Sequence, residues 1–406
     1  MGSLSGVKVL DLSRVFSGPW AAQMLADFGA DVIKVERPGR GDDVRYQGPR
    51  ARNAEGEETS ETSSFLSMNR GKRSITIDIA QEEGQALIRD LARDSDILIE
   101  NFKAGDLSRY GLDYLSLREI NPRLVYCSIS GFGQTGPYSH LPGYDPLFQS
   151  MSGLMSVTGH ADGAPGGGPL RVGYSVGDIT AGFYAVSAIL AALRHRDMVS
   201  GEGQHIDLAL LDAQVAAISH VAMMYLVSGQ QPPRLGNVSP ITCPWQSFEC
   251  SDGQLVIAVG NDAQFAAFCR VLGLPHLAAD DRFVSNPLRA KHRDTLIPLL
   301  ADALSRRTVH EWNAECEAAG VPSGPINNFE QVFSDPQIVH RQMQMEMQHP
   351  TAGSVPQVAN PVKFSGTPVQ YALAPPILGQ HTLEVLRDRL GMDDMRIAQL
   401  RHKKVI

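Results

Sequence analysis

Short apolar runs alternate along this chain with stretches in which apolar positions recur every three or four residues. VKVLDLS (Val7–Ser13) and ADVIKVE (Ala30–Glu36) carry the first pattern and predict strands. PWAAQMLADFG (Pro19–Gly29) lies between them with helical spacing, proline at its start and glycine at its end. Strand, helix, strand in that order predicts a right-handed crossover in a parallel sheet. The unit recurs as RSITIDI (Arg73–Ile79), a helix from Glu82, and DILIENF (Asp96–Phe102), then a short helix and LVYCSIS (Leu124–Ser130). The polar stretch Arg40–Ser64 reads as a surface loop. A helix is predicted from Asp178 to about Arg196, then a short strand and a long helix.

At SGQQPPRLGNVSP (Ser228–Pro240) the pattern breaks and predicts a linker. WQSFECSDGQLVIAVG beyond it reads as a hairpin turning at Asp252-Gly253, with helices following at 262–272, 288–305 and 308–319. Asn360–Pro368 is strand-like and His381–Met392 helical; neither could bury its apolar face alone. The expectation is an α/β chain. Residues 1–227 begin a large parallel-sheet domain, 228–240 link, 241–328 form a small α+β domain, and 329–406 return to the large one.

Composition narrows the function. The chain has 406 residues, 43% of them hydrophobic, enough for a large core. Its net charge of -8, with scattered Lys and Arg, gives no nucleic-acid footprint. Cys127, Cys243, Cys250, Cys269 and Cys316 form no CxxC and fit reduced thiols in a cytosolic protein. The start, MGSLSGVKVLDLS, lacks the pattern of a signal peptide, and the apolar runs read as too short for a membrane span. The histidines make no HExxH and no metal site is expected.

GFGQTG (Gly131–Gly136) matches a dinucleotide fingerprint, but Pro137 and Pro142 oppose the helix it must open, so it reads as a glycine turn. Basic residues near strand ends carry more weight. Arg37 follows the second strand, and Lys103 and Arg109 follow DILIENF, where open parallel sheets bind ligands and guanidinium suits phosphate. Asp178 is the only charged side chain between Val172 and Leu193. Its position before an apolar helix suits an N-cap, whereas Gly173 and Gly177 suit the approach of a ligand; the local pattern leaves both roles open.

The ordered segments VLDLSRVFSGPWAAQMLADFGADVIKVERPGRGD, MNRGKRSITIDI, DILIENFKAGDLSRYGLDY, INPRLVYCSISGFGQTGPY and GDITAGFYAVSAILAALRHRDMVSGEGQHIDLALLDA resemble the class III CoA-transferase family, which includes formyl-CoA and carnitine CoA-transferases. The resemblance implies a large Rossmann-like domain from both chain ends, a small middle domain, and an interlocked homodimer. It implies Asp178 as the catalytic aspartate and CoA contacts at Phe16, Ser17, Arg37, Ile77, Asp78, Asn101, Phe102, Lys103, Arg109 and Pro142–Asp145, including Tyr144 and Asp145. It places a glycine-rich loop at Gly260 and Asn261, whose N–H groups could hold an oxyanion. Phe16 replaces a glutamine of the formyl-CoA enzyme and Pro142 a lysine, which suggests a different acyl group. The implied reaction moves CoA from an acyl-CoA donor, with succinyl-CoA expected, to a small dicarboxylate, through an aspartyl anhydride and an aspartyl-CoA thioester. CoA is then a substrate, and no tightly bound cofactor is expected. A helix N-terminus is expected to favour ionised Asp178, and Arg45 and Arg50 are candidates for the dicarboxylate. The related 2-methylacyl-CoA racemase branch has histidine where GYDPLFQS places Tyr144, and a phenol with a reference pKa of about 10 is a poor base near neutrality. A non-catalytic CoA-binding role is the alternative from another class.

Overall fold

A computed structural model describes residues 1–406 in full. The chain divides into two compact units. The larger comprises 1–154, 172–222 and 337–406, and the smaller 155–171 and 223–336. Residues 155–171, 223–227 and 329–336, expected in the large domain, and 228–240, expected as the linker, all group with the smaller unit.

The larger unit is built on six strands: β1 (Lys8–Asp11), β2 (Asp31–Glu36), β3 (Lys72–Thr76), β4 (Ile97–Glu100), β5 (Val125–Ser130) and β6 (His205–Ala209). Every pair is parallel, in the order β3-β2-β1-β4-β5-β6. Strands with helices on both faces lose both side-chain rows to the core, and β4 and β5 are buried at every position. One face is covered by α1 (Ser17–Asp27), which packs with Trp20 edge-on to Phe183, ring centres 6.3 Å apart. The other carries α2 (Glu82–Arg93), whose Leu87, Ile88 and Leu91 are buried with Leu10, Ile33 and Leu98 of the strands. A fully buried aliphatic side chain of this kind contributes about 1.5–3 kcal/mol.

The order reverses between β1 and β4. The chain leaves β1 toward β2 on one side and leaves β4 toward β5 on the other, so the loops at their carboxyl ends diverge and open a crevice. Helices α4 (Asp145–Met151) and α5 (Val176–His195) pack into the core on the side of α1, and α3 (Tyr114–Ile120) on the side of α2. Together with its continuation to Ser200, α5 is long and apolar enough to cross a bilayer, contrary to the expectation that no segment is. Its packing explains the composition: Ala181, Ala185, Val186 and Ile189 are buried in the core with Ala21, Ala22 and Leu25 of α1. A Cβ at Gly182 would stand 2.9 Å from Trp20 Cδ1, so the glycine lets the two helices meet.

Two expectations fail in this unit. Asn360–Pro368 forms no strand; the strands of the tail are Gln344–His349 and Gly353–Val358, an antiparallel pair. Arg40–Ser64 is an ordered structure with a polar interior. Arg50–Arg52 pairs with Glu58–Thr62, and Asp42, Arg45, Glu61 and Thr62 are buried. Arg45 is 7% exposed, with Nε 2.7 Å from Glu36 and Nη1 3.3 Å from Glu61. It cannot serve a substrate. Arg50 donates to the Thr59 carbonyl at 3.2 Å within the same hairpin.

The smaller unit contains the predicted hairpin as β7 (Trp245–Glu249) and β8 (Gln254–Ala258), joined antiparallel by β9 (Ser323–Pro325). The helix expected over 288–305 is broken at His292 into Asn286–Lys291 and Arg293–Leu304.

Candidate active site

The crevice at the switch point is tied across its floor. Asn101, just past β4, accepts from Arg14 N at 2.8 Å and donates to Arg14 O at 2.6 Å, so one amide side chain joins the loops leaving β1 and β4. Buried Lys34 donates to Ser13 O and to Asp42, both at 2.9 Å, and Asp42 accepts from Val15 N at 3.0 Å. These bonds hold Val15 at φ 69°, a left-handed conformation that a β-branched residue adopts only under constraint. Glu100 closes β4 and accepts from Phe102 N at 2.8 Å. Burial pushes its carboxyl up to about 7, opposed by a hydrogen bond from Ser128, which also contacts His205 Nε2 at 2.9 Å.

Three adjoining cavities follow this floor. The first, about 210 Å³, has Arg37, Ile77, Asp78 and Arg109 in its walls, with Arg14 and Phe102. The second, about 270 Å³, shares Arg14 and Phe102 and continues past Asn101, Lys103 and Ser17 to Tyr144 and Asp178. The third, about 580 Å³, shares Tyr144 and Asp178 and extends past Phe16 to Arg40, Tyr46 and Gln47. The structure thus gathers along one path the residues that sequence reasoning selected in the larger unit. Arg37 and Arg109 are exposed at its first part. Phe16 lies instead at the far end. Asp78 lines the path, but its carboxylate accepts from Ala80 N and Gln81 Nε2, which fixes the lead-in to α2.

Asp178 does not cap its helix. It lies in the first turn of α5, which follows Ser175. The orphan N–H groups are taken by Asp145 at the start of α4: its Oδ1 accepts from Gly177 N at 2.7 Å and Asp178 N at 3.3 Å. Asp145 Oδ2 is held in turn by Gln149 Nε2 at 2.5 Å. Asp145 is 4% exposed, and both its oxygens are engaged within the protein. The glycine before Asp178 now has a reason. A Cβ on Gly177 would stand 2.9 Å from Asp145 Oδ1, so the glycine makes room for this carboxylate rather than for a ligand.

The Asp178 carboxyl is left free of its own backbone. Burial pushes it up to about 7, the Asp145 carboxylate adds to the rise, and a hydrogen bond from Ser17 opposes it. The helix terminus was expected to favour ionisation, but desolvation and the like charge prevail. A carboxyl that titrates near neutrality, set between two cavities, can act as a nucleophile without a strongly bound counter-ion.

Gly260 and Asn261 belong to the smaller unit, between β8 and α6 (Asp262–Val271). Asn261 caps that helix through Gln264 N at 2.9 Å, and Gly260 N donates to Gln264 Oε1 at 2.8 Å. Sequence reasoning missed Arg14, Asp43, Glu100 and Arg40. Glu100 was signalled by an acid closing an otherwise apolar strand; the others had no local mark.

Comparison with known proteins identifies the family. The model of CoA-transferase family III matches residues 4–382. The chain is 47% identical to the succinate–glutarate CoA-transferase of Agrobacterium fabrum over 386 residues, 95% of each protein. It is 41% identical to the human succinyl-CoA:glutarate CoA-transferase, covering 98% of this chain and 88% of that one. A crystal structure of a CAIB/BAIF family protein from Brucella suis superposes with a TM-score of 0.84 at 43% identity, covering 96% of this chain and 99% of that one. The chain belongs to CoA-transferase family III and is a class III CoA-transferase.

Proposed function

We propose that the enzyme moves CoA from succinyl-CoA to a dicarboxylic acid of glutarate's kind, with Asp178 as the nucleophile. The observation that carries this reading is the position of Asp178 in the walls of two adjoining cavities. One leads back past Lys103 and Arg14 to Arg37 and Arg109, which suits a pantetheine arm and its phosphates; the other leaves room for an acyl group. The similarity to proteins named for succinate and glutarate supports the choice of acids.

The chemistry conserves the thioester energy that hydrolysis would lose. Asp178 Oδ attacks the donor carbonyl carbon, the C–S bond breaks, and an acyl–aspartyl anhydride and CoA thiolate form. The thiolate attacks the aspartyl carbonyl, releasing the donor acid and leaving an aspartyl-CoA thioester. The acceptor carboxylate attacks that carbonyl and expels the thiolate, giving a second anhydride. The thiolate then attacks the acceptor's carbonyl and frees Asp178. Each tetrahedral oxyanion needs N–H donors, worth roughly 3–4 kcal/mol for one well placed. All five cysteines are free thiols, which supports a reducing, cytosolic setting.

Mass spectrometry after incubation with succinyl-CoA is the test. A CoA adduct on the peptide carrying Asp178, and loss of exchange in Asp178→Ala with CoA binding retained, are expected. Full exchange by Asp178→Ala would remove the proposal.

A further inference from the structure

This inference rests on the reading just given and concerns how a dicarboxylate is told from a monocarboxylate. Besides the phenols of Tyr46 and Tyr144, the ionisable groups in the wall of the acyl-side cavity are Arg40, Asp43, Asp145 and Asp178. Three are acidic, so an acid carrying a second carboxylate is repelled on approach unless a cation compensates. Arg40 is the only cation there. Arg45, five residues along, is spent on Glu36 and Glu61.

Arg40 is also free to act. Its side chain is 61% exposed and engages Asp43 through one nitrogen, Nη2, at 3.1 Å. A guanidinium has five N–H donors in a planar fork, so others remain for a carboxylate. Its backbone is fixed by Tyr46, whose hydroxyl donates to Arg40 O at 3.0 Å. We infer that Arg40 holds the far carboxylate of both the succinyl donor and the dicarboxylate acceptor while Asp178 reacts with the near carbonyl. Asp43 occupies the guanidinium between turnovers and yields to the substrate.

The test compares glutarate with pentanoate, acids of equal chain length, as acceptors from succinyl-CoA. In a double-displacement reaction kcat/KM for the acceptor reports the second half-reaction alone, so effects on the donor cancel. In Arg40→Met the preference for glutarate is expected to fall by about tenfold or more, the loss of one charge-assisted hydrogen bond at an exposed site. Arg40→Lys is expected to recover part of it. If the unsubstituted enzyme uses pentanoate as well as glutarate, the dicarboxylate reading fails and Arg40 with it. If it prefers glutarate and Arg40→Met keeps that preference within about twofold, the assignment of Arg40 alone is overturned.

Discussion

At the scale of single residues, the carboxyl of Asp178 matters most because two nearby features set its ionisation. Its folded value of about 7 lies above the 3.8 of an unperturbed aspartate. On raising the pH, the unfolded chain therefore loses this proton first, and the group's contribution to stability falls between 3.8 and about 7 and is level above. On the proposed mechanism activity runs the other way, since the ionised form is the one that attacks. The rate of the first half-reaction will rise with pH and level off above an apparent pKa of about 7. Asp145→Asn keeps an oxygen for the Gly177 and Asp178 N–H groups but removes the like charge, so the acid limb of the profile will move to lower pH. A limb that stays in place would show that burial alone sets the value. Asp178 could be singled out in the sequence, but its partner could not: the carboxylate that caps α5 lies 33 residues upstream, beyond any local pattern.

At the scale of elements, the strands and helices were legible wherever their burial is apolar. β1, β2, β4 and β5 fall within a few residues of the runs that predicted them, because a run buried on both faces can be little else. The segment Arg40–Ser64 was misread for the converse reason. Its buried groups are Asp42, Arg45, Glu61 and Thr62, which satisfy one another and give no apolar signal. Lys34 is the keystone of this polar interior, inaccessible to solvent and bound to both Ser13 and Asp42. Lys34→Met leaves Asp42 buried without its cation and will cost about 3–5 kcal/mol of stability, measurable by urea denaturation. CoA affinity will fall as well, since the loop from Ser13 to Val15 lines the path.

At the scale of the whole molecule, the crossovers were readable and the strand order was not. Periodicity states that β3 and β4 are strands, but which edges of β1 and β2 they join depends on the connections' packing. The cavity path follows from that order, and so does the clustering of Arg37, Asn101 and Arg109, which are scattered in sequence. Much apolar surface is left uncovered. Phe183 and Tyr184 of α5 are exposed, and the helix Ser219–Ser228, which contains Met223, Met224, Tyr225, Leu226 and Val227, has no buried residue. A single chain rarely leaves so much apolar surface in water, and we propose that a second copy of the chain covers it. Light scattering is expected to give twice the mass of one chain at micromolar concentration; a monomer would rule the dimer out.

The left-handed Val15 has a consequence for how the enzyme changes under selection. The conformation costs on the order of 1–3 kcal/mol in a β-branched residue, a cost that glycine would not incur. Libraries sorted for heat tolerance alone will drift toward glycine at this position, whereas libraries sorted for turnover will retain a side chain there, because Val15 walls both cavities that meet at Asp178.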